Sequence, residues 1–313
     1  MARTIRAAAA QLGPIHRADD RSSVVQRLIA LLRQAGEANC SLVVFPELAL
    51  TTFFPRWWMT EQAKIDAFFE AEMPGPETRP LFEEAQRLGI GFYLGYAELT
   101  EEAGAVRRYN TSILVAPDGR LVGKYRKVHL PGHEEHKPEA PFQHLEKRYF
   151  DVGDLGFPVW RSQGAVMGMC ICNDRRWPET FRVMGLQGVE MVLLGYNTPD
   201  FNIHHHEPVH LRMFHNHLTM QAAAYQNGTW LIAAAKAGRE DGFGLIGGSC
   251  IIAPTGEIVA LAGGEADELV TANCDLELGR HIKENIFNFA RHRRIEHYSL
   301  ITERTGAEAP PED

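Results

Sequence analysis

Cysteine is scarce in this chain of 313 residues, with five in all: Cys40, Cys170, Cys172, Cys250 and Cys274. They are odd in number and widely scattered, and none forms a CxxC pair. That argues against a disulfide framework or a zinc ribbon and fits a reducing compartment, so a cytoplasmic location is expected. Long apolar runs are missing too. No stretch approaches the ~20 apolar residues that span a bilayer, so no membrane partner is expected. The N-terminal stretch superficially resembles a leader. Its apolar core is only Ala7–Ala10 before Gln11, too short for a signal peptide, and it reads better as a small-residue strand. Basic excess is also absent. Lys and Arg number 32 against 40 Asp and Glu, giving a net charge of −8, and no basic patch is interleaved with aromatics. Nucleic acid is therefore not an expected partner.

What is present is an ordinary globular composition, 45% hydrophobic and 23% charged, long enough for a large core in one domain or two. Ile5–Gln11 reads as a buried strand and residues 20–38 as a helix with Val24, Leu28, Leu31 and Leu32 on its apolar face. Residues 41–45 read as a second strand, stopped by Pro46. Further helices are expected at about 76–88 and 215–226, with strands at 91–99, 158–160, 165–172, 189–195 and 229–235. Continuously apolar strands after helices mark a sheet covered on at least one face. Residues 109–130 and 249–260 read as two hairpins that echo each other as strand, Ala-Pro, turn, strand, with Asp118-Gly119 at the first turn. The echo implies two similar halves of one unit. The connection 131–148 is long, polar and rich in His, Glu and Pro, as functional loops often are. The tail after Ile301 has the composition of a disordered segment.

Cys172 ends an uncharged, mostly apolar strand and precedes a helix start marked by Pro178. A cysteine at such a turn lies near free N–H groups and the positive helix end, which favours thiolate, and Arg175 and Arg176 add positive charge. The plainer reading is a buried structural cysteine. Glu47 follows a buried strand, where α/β proteins place ligand crevices, but it reads equally as a solvent-exposed loop carboxylate. Lys127 and His129 share a strand face if the strand persists that far; Lys124, Arg126 and Lys127 also read as a solvated basic edge. The aromatic cluster Thr51–Trp58 reads as core or subunit contact before pocket. A thiol, a carboxylate base and a lysine together suit acyl transfer: the carboxylate takes the thiol proton and later activates water. The lysine and a backbone N–H such as that of Asn173 stabilise the oxyanion. Spacing alone does not select these residues from the other charged ones.

Phe45-Pro46-Glu47, Gly123–Leu130 (GKYRKVHL) and Cys172–Glu179 (CNDRRWPE) resemble, in order and spacing, the three catalytic segments of the nitrilase, or carbon–nitrogen hydrolase, superfamily. Longer stretches are similar to its branch acting on N-carbamoyl-D-amino acids. They are Phe45–Trp57, Leu130–His133, Pro141–Phe150, Gly195–Pro199, Tyr225–Gly228 and Ala253–Ala260. The resemblance covers the chain to about Ile301. It implies one domain over residues 1–301 and a four-layer α-β-β-α sandwich, a specific form of the α/β class. It also implies a homo-oligomer, dimer or tetramer, assembled through helix layers.

The same resemblance implies that Glu47 is the general base, Lys127 the oxyanion stabiliser and Cys172 the nucleophile, with Glu146 positioning substrate or Lys127. The implied substrate is a ureido acid, hydrolysed through an S-carbamoyl enzyme to a D-amino acid, ammonia and carbon dioxide without cofactor or metal. Its carboxylate needs a guanidinium clamp, for which Arg175 and Arg176 match; either reads also as an ion-pair partner of Asp174 or Glu179. Asn197, Thr198 and His144 match substrate-contact positions alongside Asn173. His129 and His215 read better as supporting residues. A histidine excess around His204, His206, His210, His215 and His217 raises a metal-dependent amidohydrolase as the rival, but fits no familiar ligand spacing.

Overall fold

The alanine run at the start of the chain shows how the layers are built. In the computed structural model, which describes residues 3–201 and 207–312, it forms strand β1 (Thr4–Gln11). Ala7 and Ala9 join the core between the two sheets, while Ala8 and Ala10 pack under the helices. Alternation with period two, both phases apolar, is what a strand covered on both faces requires.

The remaining strands are β2 (Leu42–Val44), β3 (Gly91–Glu102), β4 (Ala105–Val115), β5 (Leu121–Arg126), β6 (Val159–Ser162), β7 (Ala165–Ile171), β8 (Met191–Tyr196), β9 (Trp230–Ala235), β10 (Ala237–Glu240), β11 (Phe243–Ile246), β12 (Cys250–Ile252), β13 (Ile258–Leu261) and β14 (Glu268–Asp275). One six-stranded mixed sheet has the order β14-β1-β2-β3-β4-β5, the other β6-β7-β8-β9-β12-β13, and β10 and β11 form a separate ribbon. Read from these edges, the two sheets have the same pairing: antiparallel, parallel, parallel, antiparallel, antiparallel. The echoed hairpins occupy equivalent edges and turn identically. Ala116 N donates to Arg120 O and Gly119 N to Ala116 O, both at 2.9 Å; Ala253 N donates to Glu257 O at 2.9 Å and Gly256 N to Ala253 O at 2.8 Å. Gly119 and Gly256 take φ of 83° and 85°, the left-handed region where glycine is free of strain.

The sheets face each other through Tyr93, Leu114, Met169, Ile171, Leu193 and their neighbours. The Tyr93 hydroxyl donates to Cys170 O and accepts from Gly195 N, both at 3.1 Å, tying sheet to sheet. Helices flank the sheets. Arg21–Glu37, N-capped by Asp20, and Arg79–Leu88 cover the first, burying Val24, Leu28, Leu31, Leu32, Leu81 and Phe82. Pro178–Leu186 and Val209–Asn227 contribute Phe181, Met184, Met220 and Ala224 to the core on the second. Together they make an α/β sandwich of two mixed sheets between helices.

Several elements differ from the sequence reading. The helix expected from residue 215 begins at Val209, directly after Pro208, whose fixed φ suits a helix entrance. The strand before Lys127 ends at Arg126, so Lys127 and His129 do not share a strand face. Residues 172–176 form a separate one-turn 3₁₀ segment before the α-helix that Pro178 opens. Leu300–Glu303 is helical, across the expected start of the disordered tail, and residues 304–312 carry no helix or strand. The cluster around Phe53, Phe54, Phe69, Tyr149 and Phe150 is buried core, as read for the Thr51–Trp58 stretch.

Candidate active site

Glu47 stands three residues past β2, and its backbone passes between the two sheets. A Cβ at Gly95 of β3 would stand 2.7 Å from Pro46 O and 2.8 Å from Glu47 Cα; one at Gly195 of β8 would stand 2.5 Å from Glu47 N. Only glycine leaves room on either side. The carboxylate is fully buried. Oε1 accepts from Lys127 Nζ at 2.7 Å and Asn110 Nδ2 at 2.8 Å, and Oε2 accepts from the Asn197 backbone N–H at 2.9 Å. The reading of Glu47 as an exposed loop carboxylate is thereby excluded.

Lys127 follows β5 and is held in line by its N–H to Asn110 O, 2.8 Å. Its ammonium also contacts Glu146 Oε2 at 2.5 Å, so it bridges two buried carboxylates rather than forming a solvated edge. The other Glu146 oxygen lies 3.5 Å from His144 Nε2. His144, Glu146 and Lys127 thus form one chain of contacts from the cavity to Glu47.

Cys172 follows β7 with φ +48°, a left-handed conformation that costs a non-glycine residue ~1–2 kcal/mol and persists only where the surroundings impose it. Here they do. Asp174 Oδ2 accepts from Ile171 N at 3.0 Å and Tyr125 OH at 2.7 Å. Asp174 Oδ1 accepts from His129 N at 2.9 Å and lies 2.8 Å from His129 Nδ1. Asn173 Nδ2 donates to His129 O at 3.1 Å. The Cys172 turn and the segment after Lys127 are therefore one unit, and His129 is a supporting residue. Cys172 Sγ lies 3.6 Å from Asn197 O, so the Asn197 backbone touches both the thiol and the Glu47 carboxylate.

Arg175 is buried and fully engaged. Nη1 donates to Cys172 O at 2.6 Å, Nη2 to Thr198 Oγ1 at 2.8 Å and Nε to Asn216 Oδ1 at 2.8 Å. It braces the Cys172 turn, with donors of all three guanidinium nitrogens taken by protein acceptors. Arg176 is exposed and has no hydrogen bond or ion pair among the described residues.

Burial sets the protonation pattern. It pushes the Cys172 thiol up, with Glu47 adding, to about 11 against the opposite pull of Lys127 and Arg175. Burial thus favours the neutral thiol, in the opposite sense to the thiolate that the helix end and the arginines suggest from sequence. Burial and then Glu146 raise Glu47 above the ordinary carboxylate value, against Lys127 and Asn110, which brings it toward the range of a useful base. For Glu146 burial acts upward, but Lys127 and His144 outweigh it and hold the carboxyl low. Burial likewise opposes charge on Lys127, and the carboxylates of Glu146 and Glu47, joined by Cys172 when it is ionised, outweigh it and favour the ammonium.

A cavity of about 300 Å³ opens at Cys172. Of the residues predicted from sequence, His144, Cys172, Asn173, Arg175, Arg176, Asn197 and Thr198 line it, whereas Glu47, Lys127 and Glu146 lie behind the thiol, fully buried. Sequence reasoning missed Asn110, Asp174 as an anchor, and Arg212 with Phe142 and Glu207 on the cavity wall. Arg212 donates to Pro199 O at 2.7 Å and pairs with Glu207 Oε2 at 3.4 Å; Glu207 also pairs with His215. Asn110 lies in a polar stretch of β4, between Arg107-Arg108-Tyr109 and Thr111-Ser112, so nothing local singles it out. His204 and His206 of the rival metal reading lie outside the described residues. Among the described residues no group of three or more His, Cys, Asp or Glu side chains could hold a metal.

Residues 6–284 match the Carbon-nitrogen hydrolase family. Among curated relatives, a nitrilase of Pyrococcus abyssi is 29% identical over 271 residues, covering 86% of this chain and 90% of its own. An N-carbamoylputrescine amidase of Solanum lycopersicum is 28% identical over 303 residues, 92% of this chain and 93% of its own. Among solved structures, a carbon-nitrogen hydrolase of Helicobacter pylori superposes with a TM-score of 0.81 at 25% identity, covering 96% of this chain and 99% of that one. An amidase mutant of Nesterenkonia sp. AN1, described with a covalent addition at its active-site cysteine, shares the fold with a TM-score of 0.71 at 20% identity, over 95% and 96% of the two chains. With its two matched sheets and a buried carboxylate–ammonium pair behind a cysteine turn, this chain belongs to the carbon–nitrogen hydrolase family of the nitrilase superfamily and is a hydrolase of carbon–nitrogen bonds.

Proposed function

We propose that the chain hydrolyses N-carbamoyl-D-amino acids, with Cys172 as nucleophile, Glu47 as base, Lys127 as oxyanion partner and Glu146 holding Lys127. One observation carries the substrate class: Arg175, Arg176 and Arg212 line the cavity beside the thiol against the single carboxylate of Glu207. Arg176 reaches no carboxylate among the described residues and shares the wall with Arg175 and Arg212, the arrangement of a guanidinium that lacks an anion. A ureido acid brings that anion; a ureido compound ending in an ammonium would be repelled. The D configuration is supported by the motif matches at Pro141–Phe150 and Gly195–Pro199.

The proton balance closes on Glu47. The thiol proton passes to Glu47 as sulfur bonds to the carbamoyl carbon, and the carbonyl electron pair moves onto oxygen. Lys127 Nζ and the Asn173 N–H oppose that charge; as the second residue of a helical turn, Asn173 has no intrahelical acceptor for its N–H. When the oxygen pair returns, the carbon–nitrogen bond breaks and Glu47 gives its proton to the departing amino group. Water then gives a proton to Glu47 and attacks the S-carbamoyl carbon. Sulfur leaves with that proton, and the carbamic acid decomposes to ammonia and carbon dioxide. No step calls for a cofactor.

The remaining expectations belong to the same reading: a single domain to about residue 301, a homo-oligomer and a cytoplasmic location. Five free cysteines suit a reducing interior, and none of the helices described is long and apolar enough to cross a membrane. The exposed apolar residues Val183, Leu186, Ile286 and Ile301 around one groove support self-association through the helix layer, which light scattering tests.

The deciding assay is ammonia release from N-carbamoyl-D-phenylalanine, its L enantiomer and N-carbamoylputrescine, by wild type, Cys172→Ala and Arg176→Ala. The expected result is turnover of the D ureido acid alone, abolished by Cys172→Ala, with KM raised about 10-fold or more by Arg176→Ala. Preference for N-carbamoylputrescine would overturn the substrate class, and full activity of Cys172→Ala would overturn the mechanism.

A further inference from the structure

A second buried carboxylate–cation group lies at the end of β10, outside the cavity. The side chains of Glu240, Lys236 and Arg56 are 0%, 0% and 2% exposed. Glu240 Oε2 meets Lys236 Nζ at 2.8 Å and accepts from Ile15 N at 3.0 Å. Glu240 Oε1 meets Arg56 Nη2 at 2.9 Å, Phe53 N at 2.7 Å and Thr52 Oγ1 at 3.2 Å. Four donors hold that buried carboxylate, and the Thr52 hydroxyl beside it has its shorter contact with Asp241 Oδ2 at 2.8 Å; such a group is costly to assemble as stabilisation alone, since apolar packing commonly does as well. What they fix is segment 52–56, which ends in the 3₁₀ turn Phe54–Arg56.

That segment leads to the catalytic chain of contacts. The carbonyls of Pro55 and Arg56 accept from Leu145 N at 2.9 Å and Gln143 N at 2.8 Å, bracketing His144. The Phe53 ring meets His144 edge-on, centroids 5.9 Å apart. Residue 146 follows, and Glu146 holds the Lys127 ammonium.

We propose that Glu240 is a positioning residue of the reaction: through residues 52–56 it fixes His144 and Glu146, and thereby Lys127. This rests on the roles given to Lys127 and Cys172 above. The test is a double-mutant cycle with Glu240→Gln, Glu146→Gln and the pair, with folding followed by circular dichroism. Two quantities are read: kcat and KM for N-carbamoyl-D-phenylalanine against pH, and the rate of Cys172 alkylation by iodoacetamide, located by mass spectrometry.

Glu240→Gln is expected to lower kcat about 10-fold with KM changed less than about 2-fold, the signature of a misplaced group rather than lost binding. It should move the acid limb of kcat/KM in the same direction as Glu146→Gln does. In the Glu146→Gln background it should add less than about 2-fold, because the two act in one line. Multiplying effects with an unmoved acid limb would overturn the proposal and leave Glu240 a stabilising residue. If Glu240→Gln does not fold, Arg56→Lys, which removes the Nη2 contact with Glu240 Oε1, replaces it in the same cycle with an expected effect of about 3-fold. If wild type does not turn over the ureido acid, the substrate reading fails by itself and the alkylation cycle decides this one: coupling upholds it, additivity overturns it. Retained turnover by Cys172→Ala would instead overturn the chemistry on which both rest.

Discussion

Gly95 and Gly195, one from each sheet, hold the Pro46–Glu47 backbone between them, with no space for a β-carbon on either side. The position of Glu47 is thus set by sheet–sheet packing and not by its loop. Gly195→Ala should push Glu47 from its contacts with Lys127 and Asn197 and lower kcat/KM at least about 100-fold, the usual penalty for a misplacement of ~1 Å. Steady-state kinetics beside a melting curve checks this; near-normal kcat/KM in the folded variant would show that Glu47 tolerates displacement.

Burial pushes the Cys172 thiol up to about 11, so its alkylation by iodoacetamide should keep rising with pH toward that value and show no plateau near neutrality. A plateau below pH 8 would mean a standing thiolate, and the base role of Glu47 would be unnecessary.

Glu47 must be ionised to accept the thiol proton, and burial with the Glu146 charge raises its pKa. The acid limb of kcat/KM should therefore lie above the ordinary glutamate value of 4.5. Glu146→Gln removes a like charge, lowers the pKa of Glu47 and should shift that limb to lower pH. A shift upward would contradict the coupling.

The two arginines should separate. Arg175→Ala leaves Thr198, Asn216 and Cys172 O without their donor in a buried site, a loss of ~2–4 kcal/mol that thermal unfolding would register. Arg176→Ala, at an exposed position, should leave the unfolding midpoint nearly unchanged and act on KM. The reverse pattern would exchange their roles.

Asp174→Asn keeps the size of the side chain but weakens its hold on Tyr125, Ile171 and His129 together. It should cut kcat about 10-fold or more while a second-order alkylation assay detects a repositioned thiol. Unchanged values in both assays would show that the Cys172 turn is held by Arg175 alone.

The apolar runs made β1, β7, β8 and β9 readable, because a strand covered on both faces declares itself locally. β14 was not readable. Its residues Glu268–Asp275 alternate in polarity, mostly half-buried, and its reason to be a strand is its pairing with β1, Thr4 opposite Asp275, across nearly the whole chain. The site divides the same way. Glu47, Lys127 and Cys172 stand in strong local motifs, while Asn110, Asp174 and Arg212 take their roles from what folding brings beside them. Arg175 and Arg176 show the limit of motif matching, since they are adjacent in sequence and only packing distinguishes them: Arg175 is tied to Cys172 O, Thr198 and Asn216, and Arg176 has no such partner among the described residues.

The matched halves have an evolutionary and engineering consequence. A two-fold repeat of strands offers two equivalent places for a reaction centre, and this chain has equipped one. Where Cys172 follows β7, the fully buried apolar Leu12 follows β1, its counterpart in the other sheet. Glu47 and Lys127 come from one half and Cys172 from the other, so neither half carries the chemistry by itself. Turnover by co-expressed halves would therefore be a direct reporter of their docking, much as in a split-enzyme assay.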